Sequence, residues 1–144
     1  MTPITKATYL GIKYHSDHRN RDRIALVSAA LASAGYETTC VTRDVEQWGA
    51  INFSPQELMT HTFAIIEASE LCVIDLTEKG VGLGIEAGYA FAKGVPVIAI
   101  AQAGANISPT LRGISQAVCL YQSASDLTDF FKKVVEPSLI LTFY

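Results

Sequence analysis

Charge, cysteine and long apolar runs are all scarce in this chain. Only 17% of its 144 residues are charged, and 11 Lys and Arg against 14 Asp and Glu leave a formal charge of −3. A summed field of that sign and size does not gather DNA, RNA or anionic lipid, so no nucleic acid polymer and no membrane is expected as a partner. The three cysteines, Cys40, Cys72 and Cys119, are odd in number, widely spaced and set in apolar runs. That pattern suits reduced, buried thiols better than a disulfide frame or a zinc site. No apolar stretch reaches the roughly 18 residues needed to span a bilayer, and Met1 to Lys6 carries no signal-peptide core. The expected compartment is the cytoplasm.

What the chain has in quantity is apolar surface, 49% of its residues. That amount excludes a disordered chain, and the length fits one domain spanning residues 1–144. Short apolar runs alternate with amphipathic ones. Ala7 to Tyr14, Tyr36 to Thr42, Leu71 to Leu76, Val95 to Ala101 and Ala117 to Tyr121 read as five strands. Between them Ile24 to Ala34 has helical spacing and Gly35 to stop it, while Arg43 to Phe53 has no period and reads as a loop. Ser54-Pro55-Gln56-Glu57 is a capping box with proline in the first turn, opening a helix to about Ser69. Thr77 to Gly84 reads as a glycine-rich loop before a helix from Ile85 to Lys93, ended by Gly94. A short helix from Ser108 and a last one through Leu127, Phe130, Phe131, Val134 and Val135 complete the order. Strictly alternating strands and helices predict a doubly wound α/β domain with a mainly parallel five-stranded sheet, of the flavodoxin-like or Rossmann-like kind. Ligands of such sheets lie beyond the carboxyl ends of the strands.

The loops after Tyr14, Leu76 and Ala101 are therefore where chemistry is expected. The densest signal is Gly80-Val81-Gly82-Leu83-Gly84-Ile85-Glu86-Ala87-Gly88-Tyr89-Ala90. It is no dinucleotide fingerprint, because the spacing is G-x-G-x-x-x-G and the next strand ends at Ala101-Gln102 with no acid for a ribose diol. No Gly-Lys-Ser/Thr follows, so it is no P-loop. Glu86 stands out as a carboxylate in the first turn of a helix otherwise built from small and apolar residues. An acid there complements the helix dipole. Beside glycines that let a sugar approach, it can also act as a nucleophile at an anomeric carbon.

The stretch from Ala68 to Gly113 resembles the nucleoside 2-deoxyribosyltransferase superfamily, which includes 2′-deoxynucleoside 5′-monophosphate N-hydrolases. The run Val81 to Ala90 with Lys93-Gly94 is similar to its glycine-loop and nucleophile motif, Thr8-Tyr9-Leu10-Gly11 to its first strand, and Ile107 to Gly113 to its hydrolase segment. The resemblance implies Glu86 as nucleophile at C1′, Tyr9 as the hydroxyl that holds it, and Gly11, Gly82 and Gly84 as backbone beside the sugar. It also implies Ser108, lent by a neighbouring subunit, as a 5′-phosphate contact. A small-molecule nucleoside or nucleotide partner, nucleoside salvage chemistry, no cofactor, no metal and a homodimer or higher homo-oligomer with shared active sites follow from it. The similarity reaches the terminal Phe143-Tyr144, where some transferases bring a tyrosine to an active site.

Four positions depart from that pattern. The family acid, about 24 to 26 positions before the nucleophile, falls on Thr62 beside His61; Gly80 stands where transferases have aspartate and hydrolases serine; Lys13 and His15 lack the hydrolase serine and arginine. Several residues keep two readings. Tyr9 is core or positioner, Asp75 caps the Thr77 to Gly80 turn or holds sugar or base, and His61 is a packed histidine or a stand-in acid. Lys13, His15, His18, Arg19, Arg21 and Arg23 form a solvated helix start or an anion site, and Ser108 with Arg112 make a cap and a surface residue or phosphate contacts. Trp48, Phe53 and Tyr14 pack or stack a base. The apolar tail Ser138 to Tyr144 is expected to bury against a second subunit. The expected activity is transfer of 2-deoxyribose between bases. Hydrolysis of 2′-deoxynucleoside 5′-monophosphates, a non-catalytic nucleotide sensor and, more weakly, an NAD or nucleotide-sugar glycohydrolase are the alternatives.

Overall fold

The computed structural model describes residues 5–134; the terminal Phe143-Tyr144 and the apolar tail lie outside them. Eleven elements follow in order: β1 (Lys6–Ile12), α1 (Arg21–Ala32), β2 (Tyr36–Thr39), a π-helical turn (Val41–Val45), α2 (Pro55–Glu67), β3 (Leu71–Asp75), α3 (Val81–Ala92), β4 (Val97–Gln102), α4 (Pro109–Ile114), β5 (Ala117–Tyr121) and α5 (Ala124–Val134). The five strands form one all-parallel sheet in the order β2-β1-β3-β4-β5. The chain is a doubly wound α/β domain, and its strand order reverses between β1 and β3, which opens a crevice at their carboxyl ends.

Local chemistry sets the element ends. Ser54 Oγ accepts from the Glu57 N–H at 3.1 Å while the Glu57 carboxylate accepts from the Ser54 N–H at 3.1 Å, so the capping box of α2 closes. Gly35 and Gly94 end α1 and α3 at φ of 91° and 76°, a left-handed turn that glycine makes without strain. The central strands β3 and β4 are buried on both faces, as their near-continuous apolar sequence requires.

Side chains alternate across each strand, so the sheet carries two cores. Leu10, Val73, Ile98 and Ile100 face α1 and α5, against Val27, Leu31, Leu127 and Phe131. Tyr9, Cys72, Ile74 and Ala99 face α2, α3 and α4, against Ile66, Leu83 and Ala87. Cys40 and Cys72 are buried free thiols, whereas Cys119 is only half-buried. No helix among the described residues is long and apolar enough to cross a membrane.

The first strand ends at Ile12 rather than Tyr14 and the fourth starts at Val97 rather than Val95, while two larger shifts bear on the site. The second strand stops at Thr39, and Val41–Val45 winds into a π-helical turn held by Asp44, whose Oδ2 accepts from the Cys40 N–H at 2.8 Å. The helix expected from Ile85 begins instead at Val81, with Gly80 as its cap residue. Gly82 and Gly84 thus lie within α3 rather than in a loop, and Glu86 sits in the second turn. Burial of Leu83, Ala87 and Ala90 against the sheet outweighs the glycines' poor helix propensity.

Candidate active site

Helical side chains lean toward the helix N-terminus, so Glu86 reaches back over Gly82, four residues before it. A Cβ at Gly82 would stand 3.8 Å from Glu86 Oε2, and one at Gly11 would stand 2.6 Å from Oε1 and 2.9 Å from Ile74 Cδ1. Gly11 is therefore closed to any side chain: its bare backbone makes the room that the carboxylate fills. Glu86 Oε1 is enclosed and hydrogen-bonds nothing among the described residues. Burial lifts the carboxyl group to about 7, while hydrogen bonding to the Tyr9 hydroxyl draws it back down. The same burial, together with the Glu86 charge, pushes the Tyr9 phenol well above its usual value, so Tyr9 remains a proton donor to Glu86.

These groups open into a cleft of about 370 Å³ between β1, the π-helical turn and α2, within the usual range for small-molecule sites. Tyr9, Gly11, Tyr14, Cys40, Thr42, Glu46, Leu58, Met59, Thr62 and Glu86 are among its walls. Burial pushes the Cys40 thiol up to about 11 and the Cys72 thiol higher still, which leaves neither as a thiolate nucleophile. Glu86 and Glu46 are the carboxyl groups in its wall, and Glu86 is the buried one.

The other expected residues are distributed differently. Thr62 lines the cleft, but its hydroxyl donates to the Leu58 carbonyl at 2.8 Å; His61 is exposed and packs edge-on against Phe53 with ring centroids 4.9 Å apart. Asp75 falls one residue past Ile74 and so on the opposite face of the sheet. It is fully buried there, accepting from the Thr77 N–H at 2.9 Å, from the Thr77 hydroxyl and from the Tyr121 hydroxyl at 2.7 Å. Thr77 Oγ1 in turn accepts from the Gln102 N–H at 3.0 Å, so the acid ties together the ends of β3, β4 and β5. The structure does not bring Asp75 to Glu86.

A second cleft of about 210 Å³ lies along α3 and α4, with Lys79, Gly80, Gly84 and Ser108 in its wall. Ser108 caps α4, its Oγ accepting from the Leu111 N–H at 3.4 Å, and Arg112 is exposed outside both clefts. Neither residue lines the Glu86 cleft of its own chain. The basic cluster is largely paired off: Arg19 forks onto Asp17, His15 and Arg23 share Glu78 at 2.9 and 3.7 Å, and Arg21 lies 4.2 Å over the Trp48 ring. Lys13 differs. It takes part in no ion pair among the described residues, and its Nζ stands 3.5 Å from where a Gly80 Cβ would be, against the start of α3.

The sequence pattern gave no sign of Glu46. It enters the cleft from a segment where Gln47, Trp48 and Gly49 follow one another at φ of 49°, 57° and 90°. Two consecutive non-glycine residues in the left-handed region cost about 1–3 kcal/mol each and persist only where the surroundings impose them. Here the Trp48 N–H donates to the Thr42 carbonyl at 2.9 Å, and its ring is held between Arg21 and His18. A π-helical turn followed by strained residues is the kind of local irregularity that gathers at functional sites. Within this aperiodic stretch, Gly49 was the one local hint of a turn.

No family profile matches the chain, and no curated protein sequence matches it. Solved structures do. A conserved protein from Enterococcus faecalis V583 superposes with a TM-score of 0.70 at 16% identity, covering 91% of this chain and 99% of that one. A 2-deoxyribosyltransferase from the psychrotolerant Bacillus psychrosaccharolyticus gives 0.67 at 16% identity over 85% and 90% of the two chains. A CMP N-glycosidase from Clostridium botulinum gives 0.63 at 18% identity over 87% and 97%. At such identities the likeness speaks for architecture: this chain has the fold on which a 2-deoxyribosyltransferase and a CMP N-glycosidase are built.

Proposed function

We propose that the protein is a member of the nucleoside 2-deoxyribosyltransferase superfamily that breaks the N-glycosidic bond of a 2′-deoxynucleoside by way of a glycosyl ester on Glu86. The enclosed Glu86 carboxylate, held by Tyr9 and opening between Gly11 and Gly82 into a cleft of nucleoside size, carries this reading. One carboxylate oxygen attacks C1′ as the C1′–N bond breaks and its electron pair leaves with the base. An incoming base then attacks C1′ and returns the pair to Glu86. A sugar without a 2′-hydroxyl suits this chemistry, because its oxocarbenium-like transition state is less destabilised. The shared fold of the deoxyribosyltransferase and the N-glycosidase supports this class of bond.

Water as acceptor, with a 5′-monophosphate as substrate, is the second reading. The unpaired Lys13 beside the start of α3 favours it, since a helix N-terminus with a free ammonium suits a phosphate. Chromatography of deoxynucleosides and their 5′-monophosphates, with and without a second free base, separates the two. Base exchange makes the protein a transferase, release from monophosphates alone makes it a hydrolase, and binding without turnover makes it a sensor. Because attack needs Glu86 ionised and burial lifts it to about 7, kcat/KM on a substrate whose base departs without being protonated is expected to rise with pH through about 7. A profile flat from pH 5 to 8 would contradict Glu86 as nucleophile.

A homo-oligomer with shared sites belongs to the same reading. Ser108 and Arg112 do not line their own chain's cleft, so a phosphate role for them requires a second copy. Val81, Ile85 and Phe91 leave an apolar strip exposed on α3, a surface fitted to such a contact. Light scattering on the purified protein should give a mass of at least two chains, and Val81→Lys should lower it.

A further inference from the structure

Breaking a C–N glycosidic bond takes two groups, one to attack carbon and one to give the departing nitrogen a proton. Glu86 supplies the first. For the second, Thr62 has only a hydroxyl already spent on the Leu58 carbonyl, His61 is exposed outside the cleft, and Asp75 lies buried on the far face of the sheet. The cleft holds one further carboxyl group, Glu46.

The backbone of Glu46 is fixed on every side. Its N–H donates to the Val41 carbonyl at 2.9 Å, and its carbonyl accepts from the Gly49 and Ile51 N–H groups at 3.1 Å each. The left-handed residues Gln47 and Trp48 hold the chain directly after it, with the Trp48 ring clamped by Arg21 and His18. The carboxyl group, by contrast, makes no hydrogen bond or ion pair among the described residues. A rigid, strained segment thus delivers a free carboxyl group to the wall of the cleft that contains the nucleophile.

We infer that Glu46 is the general acid and base of the reaction, protonating the departing base and later taking the proton from the incoming acceptor. This rests on the reading of Glu86 as nucleophile. As Glu86 bonds to C1′ and the C1′–N electron pair moves to the base, the Glu46 carboxylic acid gives its proton to the base and becomes a carboxylate. When the acceptor base or water attacks C1′ and frees Glu86, that carboxylate takes the acceptor's N–H or O–H proton. Both groups end as they began.

The test uses a leaving group that needs no proton. N7-methylated 2′-deoxyguanosine is already cationic and departs as a neutral base, whereas 2′-deoxyguanosine must be protonated. Glu46→Gln is expected to lower kcat on 2′-deoxyguanosine or its 5′-monophosphate about 100-fold or more, with KM little changed. On the N7-methylated forms it should stay within a few-fold of the wild type. Glu86→Ala should be inactive on both. An equal loss on both substrates, or no loss on either, overturns the role of Glu46 while leaving Glu86 in place. A wild-type protein that turns over neither overturns both readings. Circular dichroism and a melting curve matching the wild type exclude misfolding as the source of any loss.

Discussion

Replacing Glu86 with alanine should abolish base release and exchange, by roughly 10⁴-fold or more, while leaving the protein folded. Loss of a nucleophile removes the covalent route altogether rather than weakening one contact, which is why the effect exceeds that of any neighbour. Gly11→Ala should reach a similar phenotype from the other direction. Its Cβ would stand 2.6 Å from Glu86 Oε1 with Ile74 close behind, so the carboxylate must move, and a displacement of about 1 Å costs on the order of 100-fold. Steady-state rates on a deoxynucleoside, with a free base present, read both variants. An active Glu86→Ala would end the glycosyl-ester mechanism.

Glu86 also sets a stability signature that a surface acid would not give. Its folded value of about 7 lies above the ordinary glutamate value of 4.5, so between those two pH values the folded state holds a proton the unfolded chain has released. Stability then falls as pH rises through that window. Glu86→Gln cannot ionise, so its melting temperature should gain on the wild type from pH 5 to pH 8. The site holds a carboxyl group where the loss of solvation disfavours its charged form, so its ionisation responds near neutral pH.

How far the sequence announces this site depends on how local each determinant is. The α2 capping box, the glycine stops at Gly35 and Gly94 and the apolar runs of β3 and β4 are decided within a few residues, and the structure has them where they were expected. The start of α3 is misread because Val81-Gly82-Leu83-Gly84 looks like a loop by propensity. Only the sheet beneath Leu83 and Ala87 makes it helical. Counting alternation along β3 would have placed Asp75 opposite Ile74, away from Glu86. Nothing comparable marks Glu46: its place depends on a π-helical turn, on left-handed backbone at Gln47 and Trp48, and on a clamp from Arg21 and His18 far back in the chain. The pairing of His15 with Glu78, 63 positions apart, is equally invisible to local reading.

Asp75→Ala should separate structure from chemistry by failing in stability rather than in turnover. Removing the carboxylate takes the acceptor from three donors at once, the half-buried Thr77 N–H and hydroxyl and the buried Tyr121 hydroxyl. Each donor left buried without an acceptor costs about 1–3 kcal/mol, which for a domain of this size lowers the melting temperature by roughly 5–15 °C in all. Asp75→Asn keeps an acceptor for Thr77 and should lose less than half as much. Both variants, assayed well below their melting points, should keep kcat within a few-fold of the wild type, because the acid bonds Thr77 and Tyr121 and does not line the cleft. If Asp75→Asn melted like the wild type yet lost turnover as completely as Glu86→Ala, Asp75 would have to reach the substrate. That would require the carboxyl ends of β3, β4 and β5 to rearrange, since in this fold the Tyr121 hydroxyl and the Thr77 turn occupy both of its oxygens.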